Sequence, residues 1–156
     1  MATPVIENIA ADIATKIDLI TTGNGFEYTL VARRPKRVLF GNETWKDQDV
    51  LIVQGAEKSR TDLLGANGVK EIVQGFFLMA ITVQSDTASD SIDTKNNKVA
   101  ADLEKKLMED ITRNSYAIYT EIVDRLPLVE NEFFSGVMLE VDITYRVNVE
   151  DPYTKA

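Results

Sequence analysis

From Val137 to Val149 the chain alternates with a period of two. Val137, Leu139, Val141, Ile143, Tyr145, Val147 and Val149 fall on one side, and Met138, Glu140, Asp142, Thr144, Arg146 and Asn148 on the other. Successive side chains of an extended strand point to opposite faces, so this pattern demands a long strand with one dry and one wet face. A dry face of that length must be buried against another layer. Asp151-Pro152-Tyr153 ends the strand, because proline has no amide to give to a ladder.

The layer that covers it is legible upstream. Ile6, Ile9, Ile13, Ile17 and Ile20 recur at three and four residues, which predicts a helix over 4–20 with one apolar stripe. Thr3 is suited to cap it and Pro4 to occupy its first position. Val99, Leu103, Leu107 and Ile111 predict a second helix over 95–113, capped by Asp93 or Thr94. Phe26 to Arg33 alternates and predicts a first strand. Val38-Leu39-Phe40 continues it or begins another. Val50 to Val53 predicts a short buried strand ending at Gly55. Ala56 to Lys70 is polar with two glycines and predicts a long loop. Glu71 to Ser85 is apolar on both sides. Ile72, Gln74, Phe76, Leu78, Ala80 and Thr82 share one face, and Val73, Phe77, Met79, Ile81 and Val83 the other. A further strand is expected within Tyr116–Val129, and a turn over Asn131–Gly136. Strands outnumber helices, and the connections suit hairpins. The expectation is a single α+β domain over 1–156, a mostly antiparallel sheet of four to five strands with two helices packed on one face. The apolar members of the other face (Phe77, Met79, Ile81, Val83) would then need a partner, which suggests an oligomer.

The chain has 156 residues, no Cys and no His. That removes thiol nucleophiles, disulfides, imidazole acid–base chemistry and the usual zinc and iron–sulfur sites. No cofactor is expected. There is no apolar run of transmembrane length and no signal-like N-terminus, so a cytoplasmic site of synthesis is expected. The net charge of −8 disfavours nucleic-acid binding over the whole chain. One segment departs from that balance. Arg33-Arg34-Pro35-Lys36-Arg37 holds four cations, and with these set aside the −8 of the whole chain becomes −12. Such a run is either a solvated loop or a surface that meets an acidic partner.

Other candidate sites lead to plainer readings. Asp86, Asp90 and Asp93 lack the glycine and closing glutamate of a calcium loop and read as a solvated loop with a helix cap. Gly65-Ala66-Asn67-Gly68 has the spacing of an RNA-clamping GxxG loop but not its flanking helices or basic setting. Gly23-Asn24-Gly25 is a turn and not a dinucleotide fingerprint. The pairs Glu109-Asp110 and Glu130/Glu132 have nothing to place them in a cleft. Trp45, the single tryptophan, lies in a polar loop as either a local anchor or an interface contact.

In order, the segments resemble the tail terminator (tail completion, or minor tail) proteins of long-tailed bacteriophages. The resemblance runs through the helix Ile6–Ile20, the strand end Val31-Ala32-Arg33-Arg34, Gly55-Ala56-Glu57, the strand Glu71–Ser85 and the helix Val99–Arg113 with Met108-Glu109-Asp110-Ile111. It closes with Val141-Asp142-Ile143-Thr144-Tyr145-Arg146 before Asp151-Pro152-Tyr153. Asn114–Glu132 departs from the family pattern, being longer and free of glycine. The resemblance implies a non-catalytic ring, six-membered, at the head-proximal end of the tail. The ring stops the tail tube protein from polymerising and meets the head–tail connector or stopper protein. DNA would pass through an acidic lumen without specific binding. The virion is the implied location, with no membrane involved. Assembly contacts are expected at Arg33, Arg34, Lys36, Arg37, Trp45, Phe77, Met79, Ile81, Tyr145 and Arg146. Two alternatives stand beside this: a head–tail connector or neck protein of the same virion, and a regulatory domain binding a small molecule near Phe76, Phe77 and Tyr145.

Overall fold

The computed structural model describes residues 2–35, 45–63, 65, 68–83, 89–129 and 135–156. Two helices and a five-stranded sheet form an α+β fold: α1 (Val5–Asp18), β1 (Val31–Arg33), β2 (Asp49–Asp62), β3 (Val69–Thr82), α2 (Ile92–Glu109), β4 (Tyr119–Val129) and β5 (Ser135–Asn148). The strand order is β1-β2-β3-β5-β4. Neighbours run antiparallel except β1, which lies parallel to β2, so the sheet is mixed.

Both helices bury their apolar stripes on the same face. Ile9, Ile13 and Ile17 of α1 and Val99, Leu103 and Leu107 of α2 meet Ile72, Phe76 and Leu78 of β3 and Leu139, Val141 and Ile143 of β5 in one cluster. Each such side chain removed from water contributes about 1.5–3 kcal/mol. The dry face of the closing strand runs from Val137 to Val147. Val149 lies past the strand end and is exposed.

The first strand is shorter than its alternation suggests. Residues 26–30 are not paired in the sheet, because their amides have other acceptors. Asp102 of α2 takes the N–H groups of Glu27 and Tyr28, each at 3.0 Å, and the Ile20 carbonyl takes that of Leu30 at 2.9 Å. α1 starts at Val5, with Pro4 flanking it and no side-chain cap. The Pro152 carbonyl from the far end of the chain accepts the Val5 amide instead. α2 starts earlier than expected, with Ser91 as its cap. It ends at Glu109, because Asp110 leaves the helical conformation and turns its carboxylate onto the amides of Thr112 and Asn114.

The largest correction concerns Ala56–Lys70. Most of it is not a loop: β2 runs on to Asp62 and pairs with β3 out to Asp62 opposite Lys70. This part of β2 is exposed on both faces, so it carries no apolar alternation; its pairing with β3 makes it a strand. The strand read over Val38–Phe40, the first four residues of the loop Gly41–Asp49, Asp86, Glu130, Glu132 and the greater part of the turn before β5 fall outside the described residues.

Candidate assembly interface

Register places the faces residue by residue. Opposite residues on neighbouring strands share a face, so Arg33, Leu51, Met79, Met138 and Leu126 form one row across all five strands. Val53, Phe77, Glu140 and Asp124 form the next, and Gly75, Asp142 and Glu121 a third. These rows lie on the sheet face away from α1 and α2. Leu51 is buried and Phe77, Met79 and Met138 are half-buried, while Leu126 is 40% exposed.

Two glycines shape this face. A side chain at Gly55 would collide with the Phe77 ring, whose nearest carbon lies 2.8 Å from where the added carbon would stand. At Gly75 the Lys58 side chain occupies the space a side chain would take. Lys58 thereby crosses β3 and pairs with Glu140 and with Asp142, whose Oδ1 lies 2.8 Å from its Nζ. The hydrogen bonds it donates to Asp142 and Glu140 hold the Lys58 ammonium above its usual pKa.

The far side of the face is acidic. Glu121 stands directly opposite Asp142, and Asp124 directly opposite Glu140. Like charges facing each other across a ladder are destabilising. Lys58 answers the β5 members only. No ion pair joins Glu121 or Asp124 to a cation among the described residues. β4 is itself an edge strand, interrupted by an irregularity between Ile122 and Asp124 and by Pro127, features that blunt strand addition.

The expected contact residues divide. Arg33 lies on the open face, half-exposed, with its Nε 3.3 Å from Asp49 Oδ1. Arg34 pairs with Glu7 and ties the exit of β1 to α1. The mutual hydrogen bonding lowers the Glu7 pKa and raises that of Arg34. Lys36 and Arg37 fall outside the described residues. Trp45 is half-buried. Phe77 and Met79 lie on the open face as expected, and Arg146 does too, 3.0 Å from Glu71. Two residues require correction. Ile81 is only 9% exposed, and Val83 is the residue at that end of β3 that stays open, at 40%. Tyr145 is 5% exposed on the helix side of β5, where burial is the main cause of its raised pKa. It is a core residue, not a surface contact.

The same geometry dismantles the small-molecule pocket expected near Phe76, Phe77 and Tyr145. Phe76 and Tyr145 share the helix face, while Phe77 points the other way. Tyr145 instead borders a cavity of about 320 Å³ with Gln74, Ile72, Pro4 and Pro152, and Phe76 is not part of it. Among the described residues no group of three or more Asp or Glu is placed to hold a metal ion. No described helix is long and apolar enough to cross a membrane.

Reading the sequence alone misses Lys58, Glu121 and Asp124. Lys58 sits in the stretch expected to be a loop. Strict alternation would put Glu121 and Asp124 on opposite faces, and only the irregularity in β4 brings both onto the open one. Glu140 and Asp142 were visible on the wet side of the closing strand, but not their opposite partners. A scan against protein-family models finds no match for this chain, and a search of curated proteins finds none either.

Proposed function

We propose that this chain is a structural virion protein, a tail terminator that forms a six-membered ring at the head-proximal end of a phage tail. The ring stops growth of the tail tube and presents a surface to the head connector, and DNA passes through it without specific contacts. The observation that carries this reading is the one-sided packing of the sheet. Both helices cover one face, while the row Leu51, Met79, Met138 and Leu126 on the other ends in exposed apolar surface at β4. Exposed apolar patches on small domains mark surfaces that meet other proteins. The sequence supports the reading from a second side, through its resemblance to tail terminators and its lack of Cys and His.

Immunogold electron microscopy tests it directly. An antibody to the purified protein should label the head-proximal tip of free tails. Label on tail-less heads would assign the protein to the neck instead, and particles without label would exclude a virion role.

A further inference from the structure

On the helix side of the sheet, Arg60, Ile72 and Tyr145 lie in one row and Glu57, Gln74 and Ile143 in the next. Between these rows, the start of α1 and the segment after β5 lies a cavity of about 320 Å³. Its floor is apolar, with Ile72 and Val147 both buried, and Pro4, Ile6 and Pro152 add apolar walls. Its rim is exposed at Glu57 and Arg60, the only charged residues among those that line it. Arg60 gives its Nε and Nη2 to the two oxygens of Glu57, at 2.7 and 2.9 Å. The rim therefore offers a closed ion pair with no net charge.

Two polar atoms inside the cavity have no partner in the fold. Gln74 is 4% exposed, and its Nε2 donates to the carbonyls of Gly55 at 2.7 Å and Gly75 at 3.0 Å. Those two acceptors fix which way the amide faces. They leave Oε1 accepting no hydrogen bond from any described residue. Tyr145 is 5% exposed, and its hydroxyl makes none with a described residue either. Neither atom is sealed off by protein, although both residues are more than nine-tenths buried, so what reaches these atoms is the cavity they line. Buried polar atoms are almost always hydrogen-bonded, and each one left without a partner costs stability.

We propose that this cavity is a binding site for a small neutral molecule with an apolar body and one hydroxyl, the chemistry of a simple phenol. The volume lies at the lower end of the range of small-molecule sites, and a few polar groups in an apolar lining is their usual composition. A hydroxyl both donates and accepts. It answers the Gln74 oxygen, which only accepts, and the Tyr145 hydroxyl, which does either. The closed Glu57–Arg60 pair gives a charged ligand no counter-ion. The site lies on the helix side of the sheet, away from the open face, and does not depend on the ring reading.

The test titrates isotope-labelled full-length protein with phenol and with fluorobenzene, a ring of similar size without a donor, and follows the backbone amides by NMR. Phenol should bind at least about fivefold more tightly, the weight of one hydrogen bond. The shifted amides should cluster at Ile72, Gln74 and Val147. Tyr145→Phe keeps the ring and removes only an unpartnered hydroxyl, so it should melt near the wild type and lose much of the preference for phenol. Val149→Trp changes an exposed residue at the cavity and should weaken both probes by filling it. It serves as the deciding variant should Tyr145→Phe misfold. No phenol binding at millimolar concentration, equal affinity for the two probes, or shifts away from the cavity would overturn the proposal. So would phenol binding that neither variant changes. All these outcomes leave the ring reading standing, because that is decided by where labelled particles carry the antibody.

Discussion

Gly136 shows how closely a single position can be constrained. It lies in β5 opposite Ile81, and an added side-chain carbon would stand 2.1 Å from the Ala80 carbonyl oxygen. That neighbour is backbone in the middle of the sheet and cannot swing aside as a flexible side chain would. Gly136→Ala should therefore cost about 1–3 kcal/mol, the range of overpacked cores, and chemical denaturation against the wild type would measure it. A loss below about 0.5 kcal/mol would mean that the strand shifts freely at this point. The constraint is invisible in the sequence, where Gly136 reads only as part of a turn. Asp102 is a similar case. It looks like one more polar residue on α2, yet it is 6% exposed and accepts two backbone N–H bonds from 75 and 74 residues away. Pairings over such separations leave no local pattern to read.

Among the elements, those with apolar periodicity were the readable ones. α1, α2, β3 and β5 were expected within a few residues of where they lie, because each buries a regular stripe or face. The distal half of β2 was not legible, since an edge strand exposed on both faces has no reason to alternate. The chain after α2 was opaque for a different reason. Arg113, Asn114 and Ser115 all have positive φ, at 48°, 55° and 66°. L-residues rarely hold this conformation in succession. Asp110 is what secures the turn. Burial pushes its pKa up, but the Thr112 hydroxyl, the amides of Asn114 and Thr112 and the charge of Arg113 outweigh that and hold the carboxyl at about 2. A folded pKa below the ordinary carboxylate value of about 3.9 adds stability that is fully present above that value and is lost as pH falls towards 2. With screening allowed for, the contribution is about 1–2 kcal/mol. The wild type should therefore exceed Asp110→Asn in stability at neutral pH, and the gap should close between about pH 4 and pH 2 in urea titrations. Asp12, whose pKa burial raises, acts in the opposite direction. The Asp110 charge is one of the causes of that rise, so a smaller part of the Asp12 effect also enters the difference, with the opposite sign. A gap that stayed constant down to pH 2 would show that the charge of Asp110 does not secure the turn.

For the whole molecule, the sequence conveyed the division between a helix-covered and an open sheet face, but not the charge layout of the open face. The first follows from alternation within each strand. The second depends on register between β4 and β5, which is set by an irregularity no local pattern announces. The consequence can be tested on two adjacent residues. Leu78 and Met79 are neighbours in β3 with opposite destinations: Leu78 is fully buried under the helices, and Met79 lies in the central row of the open face. Leu78→Ala should cost about 2–5 kcal/mol of stability, as a cavity in a packed core does. It should weaken self-association only as far as it depletes the folded chain. Met79→Ser exposes no core cavity, so its melting temperature should fall by only a few degrees, the equivalent of about 1 kcal/mol or less. If the open face meets a partner as proposed, it should nevertheless weaken association, because it puts a hydroxyl into the apolar row of that face. Melting curves and particle masses measured on the same preparations separate the two effects. If Met79→Ser instead melts as early as Leu78→Ala, the open face is part of the stability of the single chain and is not held in reserve for a partner.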